Sequence, residues 1–194
     1  PDGLAIARRI DLNDPGESMA YAANPQAVAS VSASKAYVAR LQKNALLVVD
    51  PTKTGAAAIT GTIDLSSFLL SADMDHHVDA GAAIVIGEHA FVALGRFYTD
   101  ATTFSSVYPD TSVVAVIDTA TDALVDADSV TPGVQGIVLQ QHGPIALAEL
   151  QGKLVVASNG AYGAMDAGIE IVDVHTFATR TIVSETTLGG DVGG

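Results

Sequence analysis

The sequence predicts an all-β chain made of repeated four-stranded antiparallel units, and three observations carry that prediction. The apolar runs are short, rich in β-branched residues, alternate with period two and stop at Gly, Asp, Asn, Ser or Pro, which is the grammar of half-buried strands. One arrangement of runs and turns recurs at "NPQAVASVSASKAYVA" (24–39), "DAGAAIVIGEHAFVA" (79–93) and "GPIALAELQGKLVVA" (143–157). Each recurrence is followed by a β-branched strand ending on an aspartate, at Asp50, Asp118 and Asp173.

The elements follow in order. In the first unit "QAVASVS" (26–32) turns at "SAS" into "KAYVARL" (35–41), "QKN" leads to "ALLVVD" (45–50), and "PTKTG" (51–55) leads to "AAAITGTIDL" (56–65). In the second, "AAIVI" turns at "GEH" into "AFVALG", and "SVVAVID" (112–118) passes through "TATD" into "ALVDADSV". In the third, "IALAEL" turns at "QGK" into "LVVAS", and "IEIVDV" (169–174) passes through "HTFA" into "TRTIVSE". Aligning the units superposes Tyr37, Phe91 and Val155, and also Asp50, Asp118 and Asp173. The same alignment sets Asp79 against Pro25 and Pro144. Four strands at a period of roughly 40–45 residues is the signature of β-propeller blades, which cannot cover both faces alone and must stack on neighbours.

The units therefore divide a single arc, 1–194, into the end of a preceding blade (1–23) and blades at 24–75, 76–142 and 143–194. "GLAIARRIDL" is expected to be the outer strand of that preceding blade, and "LGGDVGG" to lie where a following inner strand would begin. Propellers typically need four to eight blades to close. About three and a half blades thus imply a larger ring, completed by remaining blades of the parent chain or by a second copy. The first residue is Pro1 and no signal peptide is visible, so the natural start is expected to lie upstream.

"SKAYVARLQKNALLVVDPTKTG" and "VVAVIDTATDALV" resemble the YVTN-type β-propeller repeat, in which a "YVAN"-like strand precedes a "V-x-V-I-D-x-x-T" strand and turn. This chain keeps Tyr37-Val38 in the first unit and has Phe91-Val92 and Leu154-Val155 in the others, a resemblance spread over about residues 24–190. It implies the propeller fold and a secreted, periplasmic or cell-surface location in a microbe. It implies no particular reaction, because propellers host unrelated functions.

Composition narrows the partners. With 22 acidic against 9 basic residues the net charge is −13, a surface that repels phosphate backbones and argues against nucleic acid. There is no cysteine, and no apolar run approaches membrane-spanning length although mean hydropathy is +0.35.

In a propeller the turns between first and second and between third and fourth strands share one face, and all are short here. The other face carries the insertions: loops at 95–111 and 158–168, and connectors at 66–80 and 132–143. Long loops gathered on one side of a rigid scaffold are where binding usually sits. In the 95–111 loop, Phe97, Tyr98 and Tyr108, with Phe104, are the candidates for stacking on a carbohydrate or capping a peptide side chain; the competing role is to pack the loop onto its own blade. "DMDHHVD" (73–79) supplies His76, His77 and Asp75 or Asp79, and with His142 these are the candidate ligands for zinc, another divalent metal or a small ligand near the inner rim; the competing reading is a polar, solvated connector whose histidines hydrogen-bond locally. Calcium is a second expectation at Asn159 and Asp166, although the EF-hand spacing is absent.

No catalytic residues are assigned, since "G-x-S-x-G", a Walker loop and "H-E-x-x-H" are all missing. The repeated aspartates read as turn caps, and His89 and His175 as structural residues of the short-turn face. The sequence points to a non-catalytic binding or interaction module with a protein or carbohydrate ligand on the long-loop face. A metal-dependent propeller hydrolase or lactonase with a central-channel site is the alternative, and a purely structural repeat the third.

Overall fold

The structure is a computed structural model that describes residues 8–17 and 23–191. Three antiparallel meanders follow one another along the chain. The first sheet runs β1 (Pro25–Ser32), β2 (Lys35–Arg40), β3 (Ala45–Val49) and β4 (Ile59–Asp64), each strand beside its sequence neighbour. The second has β5 (Ala80–Ile86) and β6 (His89–Leu94), then, after a ribbon of β7 (Tyr98–Thr99) and β8 (Ser106–Val107), β9 (Val113–Asp118) and β10 (Ala123–Val125). β11 (Ile137–Val138) also pairs with β9. The third sheet is β12 (Pro144–Leu150), β13 (Lys153–Ser158), β14 (Gly168–Asp173) and β15 (Thr179–Ser184), followed by the single-turn helix α1 (Glu185–Leu188). β5 packs beside both β1 and β12, so the sheets meet along their first strands.

Period-two alternation decides which side chains join which core. In β2 the odd positions Tyr37 and Ala39 face the second sheet, meeting Ala90, Val92 and Leu94 of β6 and Ala115 and Ile117 of β9. The even positions Ala36 and Val38 face the other way, with Leu47, Val49 and Leu12. In β6 the third residue, Phe91, faces the third sheet and packs with Val116, Leu139, Leu154, Val156 and Val172. Tyr37 and Phe91 thus hold the same position in successive units, and both are fully buried. Tyr37 adds a polar tie, its hydroxyl donating to Asp122 in the β9–β10 turn while Lys35 Nζ lies 2.6 Å from the same carboxylate. The third member, Val155, pairs with Ile171 on the far face of the third sheet, where no further sheet covers it among the described residues.

Four details depart from the sequence reading. Residues 8–12 form no strand; this stretch lies along the outer face of the first sheet, held by Arg40, whose guanidinium donates to Leu12 O and Asp14 Oδ1 at 2.9 Å each. Residues 3–7 of "GLAIARRIDL" fall outside the described residues. The fourth strand of the first sheet begins only at Ile59, because Gly55–Ala58 form a 3₁₀ turn. The fourth position of the second sheet is split: β10 pairs with the Asp118 end of β9 and β11 with the Val113 end. Asp126 and Asp128 drive the split by accepting from nearby backbone amides (Asp128 N, Gln135 N and Val130 N), local bonds that compete with the ladder. At the far end, Ser184 caps α1 through Thr187 N and Gly189 closes it in the left-handed conformation, so 185–189 form a helical stop.

The recurring aspartates are turn caps, as their repetition suggested. Asp50 Oδ1 accepts from Thr52 N, Asp118 Oδ1 from Ala120 N and Thr121 N, and Asp173 Oδ1 from His175 N and Thr176 N. Hydrogen bonds to the charged form hold all three carboxyls below their ordinary value of 3.8: from the Thr52 and Thr121 side chains for Asp50 and Asp118, and from Lys153 for Asp173. A lowered folded-state value means the stabilisation is complete above the unfolded value and lost as pH falls through the folded one. The contribution of the caps is expected to be level from pH 6 to about pH 4 and to fall below it. The difference in denaturant midpoint between the unsubstituted chain and Asp118→Asn should therefore hold constant down to about pH 4 and shrink below.

Candidate functional site

All the long loops leave the sheets at one end, where the first strands begin and the second strands stop. Each first strand there is introduced by a residue with positive φ: Asn24 (46°), Asp79 (53°) and Gly143 (66°). Each of these accepts, through its carbonyl, a bond from the residue just beyond the second strand: Leu41 N, Gly95 N and Asn159 N, at 3.0 Å in all three units. A bulge follows at Pro25/Ala27, Ala80/Ala82 and Pro144/Ala146. This repeated device corrects the alignment by one residue. Asp79 matches Asn24 and Gly143, while Ala80 matches the prolines. Asn, Asp and Gly are the residues that tolerate the left-handed region, so the conformation rather than the proline is what the repeat preserves.

The three devices converge on a cleft of about 250 Å³. Equivalent positions line it from every unit: Gln26, Gly81 and Ile145 from the first strands, and Leu41, Gly95 and Asn159 from the ends of the second. The 95–111 loop leans over it with Phe97 and Tyr108, whose ring centroids lie 5.6 Å apart. Tyr108 is stacked on His142 at 5.1 Å with an interplanar angle of 12°. His142 in turn is set by Asp166, its Nδ1 lying 2.9 Å from Asp166 Oδ2, while Asp166 Oδ1 accepts from Ala161 N. Burial, then the nearby Asp166 and Asp79 charges, push the Tyr108 hydroxyl up to about 12, so it stays protonated and able to donate.

Beneath the cleft, two buried carboxylates pin the loop end in place. Glu170 on β14 accepts from Gln140 N at 2.9 Å and Gln141 N at 3.1 Å, and Glu185 of α1 accepts from Ala167 N at 2.9 Å. Burial pushes Glu170 above the ordinary carboxylate range against the pull of those two amides.

The predicted aromatic residues separate. Phe97 and Tyr108 line the cleft; Tyr98 instead lies in β7 opposite Val107, and Phe104 is 82% exposed at the loop tip. The predicted metal ligands separate as well. With the corrected alignment His142 matches Val78, a buried core residue, and His77 stands one position further out. His142 contacts Asp166 and Tyr108, whereas His77 Nδ1 lies 3.9 Å from Asp75 Oδ1. Asn159 lines the cleft but Asp166 is committed to His142 and Ala161 N. His89 sits at the opposite, short-turn end, edge-on to Phe91 and Phe177, and His175 lines a hollow beside it.

Of the predicted set, Asp75 and Asp79, and none of the histidines, join a group of three or more acidic, histidine or cysteine side chains close enough to share one ion among the described residues. The third member is Asp73, with the donor atoms all within 4.8 Å of one another. Asp79 Oδ2 accepts from Phe97 N at 2.9 Å. Burial, with smaller contributions from Asp75 and Asp73, nevertheless pushes Asp79 up to about 8. Asp73 escaped notice in the sequence because a fully buried acid has no pattern signature. A comparison of the chain with protein-family models matches none, and a comparison with curated proteins finds no significant similarity.

Proposed function

We propose that this chain is an arc of a YVTN-like β-propeller that acts as a non-catalytic binding module at a microbial surface or in the periplasm. The observation that supports it best is the cleft, lined by equivalent positions from all three units and roofed by Phe97 and Tyr108. Its volume is below the roughly 300–1,000 Å³ typical of sites that enclose a whole small ligand. It therefore suits one unit of a longer ligand: a single sugar of a glycan or one side chain of a peptide, its apolar face against the aromatic rings and its polar groups toward Gln26 and Asn159. The net charge of −13 favours neutral or cationic ligands over polyanions.

The uncovered face of the third sheet supports association with remaining blades or with a second copy, since Val155, Ile169 and Ile171 line it. Ile169 there is 40% exposed.

Saturation-transfer NMR with panels of neutral oligosaccharides and of cationic and neutral peptides tests the binding reading. A hit weakened at least tenfold by Tyr108→Ala, a loss of about 1.4 kcal/mol, is the expected result. No hit in either panel, or a hit indifferent to both Tyr108→Ala and Phe97→Ala, overturns the assignment of the cleft.

A further inference from the structure

We propose that Asp73, Asp75 and Asp79 form a site for a hard divalent cation, calcium in preference to zinc, in the connector between the first and second sheets. Acidic side chains often cluster on a surface as acid as this one, so proximity is not the argument. The argument is Asp73. Its side chain is completely buried, and neither carboxylate oxygen has a hydrogen-bond partner. A completely buried carboxyl without partners is costly to a fold, and an ion or water from outside the polypeptide is one way such a group is completed.

The surrounding groups do not complete it. His76 and Arg96 are the cationic groups that influence Asp73; Arg96 donates from one terminal nitrogen to Thr111 O and Oγ1, its Nε is itself buried without a partner, and it makes no ion pair with Asp73. Asp75 and Asp79 bring two further carboxyl groups to within 4.8 Å. Each of them has one oxygen occupied: Asp75 Oδ1 by His77 N at 3.0 Å and Asp79 Oδ2 by Phe97 N at 2.9 Å. Among the described residues no hydrogen bond of normal geometry reaches either oxygen of Asp73, Oδ2 of Asp75 or Oδ1 of Asp79, although the Asp75 amide lies near enough to Asp73 to favour its ionised form.

An all-oxygen donor set suits calcium, which takes six to eight oxygens in flexible geometry, and does not suit zinc, which prefers nitrogen and sulfur. Asp75 is exposed, so water can fill the remaining positions from that side. The backbone around the site is already fixed. Asn44 in the β2–β3 turn donates from Nδ2 to His76 O at 2.9 Å and accepts at Oδ1 from Val78 N at 3.1 Å. A bound ion would tie this connector, through Asp79, to Phe97 and hence to the wall of the cleft. The inference stands apart from the identity of the cleft's ligand, because its test uses the metal alone.

The test is calorimetric titration of calcium into the chelator-treated 194-residue chain, paired with thermal melts with and without 1 mM calcium. One site per chain is expected, with a dissociation constant near 10 μM and a rise in melting temperature of about 5–10 °C. Asp73→Asn and Asp75→Asn should each weaken binding at least tenfold, and Asp73→Asn without metal should melt no lower than the unsubstituted chain. Because Asp75 is exposed, its variant keeps the test sound if Asp73→Asn fails to fold. The proposal is overturned if neither calcium, magnesium nor manganese binds at millimolar concentration, or if binding survives both substitutions. It is equally overturned if metal-free Asp73→Asn is destabilised and calcium has no effect, which would mean that Arg96 compensates Asp73.

Discussion

Replacing Phe91 with alanine should lower stability by about 3–5 kcal/mol, the usual range for emptying a buried aromatic site. Phe91 is fully buried between the second and third sheets, where Leu154, Val156 and Val172 surround the space it fills, and neighbouring sheets cannot collapse into the hole without breaking their ladders. In a chain of this length the loss corresponds to a fall in melting temperature of roughly 6–20 °C. The informative control is the same position one unit on. Val155→Ala should cost less than about 1 kcal/mol, because Val155 lies on a face that no sheet covers among the described residues. Urea denaturation of both variants at two protein concentrations checks the pair. If Val155→Ala costs about 2 kcal/mol or more and its effect grows with concentration, that face is covered in solution by another molecule.

The second large effect belongs to Gly143→Ala. Gly143 has φ +66°, a region that costs an alanine about 1–2 kcal/mol, and a methyl there would overlap the Tyr108 hydroxyl and Asn159 Oδ1. Crowding of that kind typically adds about 1–3 kcal/mol, so a total of about 2–5 kcal/mol is expected. Gly152→Ala separates the two contributions: its φ is +73°, but nothing lies within 4 Å of the added carbon, so only the conformational cost of about 1–2 kcal/mol remains. Thermal denaturation orders the variants. Gly143→Ala should also abolish cleft binding by displacing Tyr108 from its stack on His142, a loss that Gly152→Ala should not share.

Much of the fold was legible because alternation in the sequence maps directly onto two-sided burial. The "KAYVA" of β2 sends Tyr37 to one core and Ala36 and Val38 to another, as period two requires. The recurring aspartates were legible for a similar reason, since a carboxylate two or three residues before free amides has a local use that needs no tertiary knowledge. The phase of the repeat was harder. Proline at 25 and 144 drew the alignment, whereas the preserved feature is the left-handed residue before it, spelled Asn24, Asp79 and Gly143. Recognising those three as one conformational class would have set His142 against Val78. Attention to histidine as a ligand type favoured His76 and His77 over Asp73, whose importance comes from its burial, and burial of a single acid follows from how two sheets and a connector meet. The Ile137–Val138 pairing on β9 was invisible for the same reason, two residues being too few to carry a period.

The strip of chain along the first sheet has a consequence for symmetry. At one end of the molecule Leu12 packs on the outer face formed by Ala36, Val38, Leu47 and Val49, clamped by Arg40 and by Lys43 on Asp14; at the other, the face bearing Val155 and Ile171 is bare. Head-to-tail joining needs both kinds of end open, and generates rings or filaments according to whether the rotation closes. Here one end carries its own cover. With Leu12 seated the first sheet's outer face is covered in part, Val28 remaining 65% exposed, so a two-fold contact between two Val155 faces needs no displacement of the strip, whereas head-to-tail joining does. Release of the strip would convert a self-terminating pair into a unit able to join in a ring.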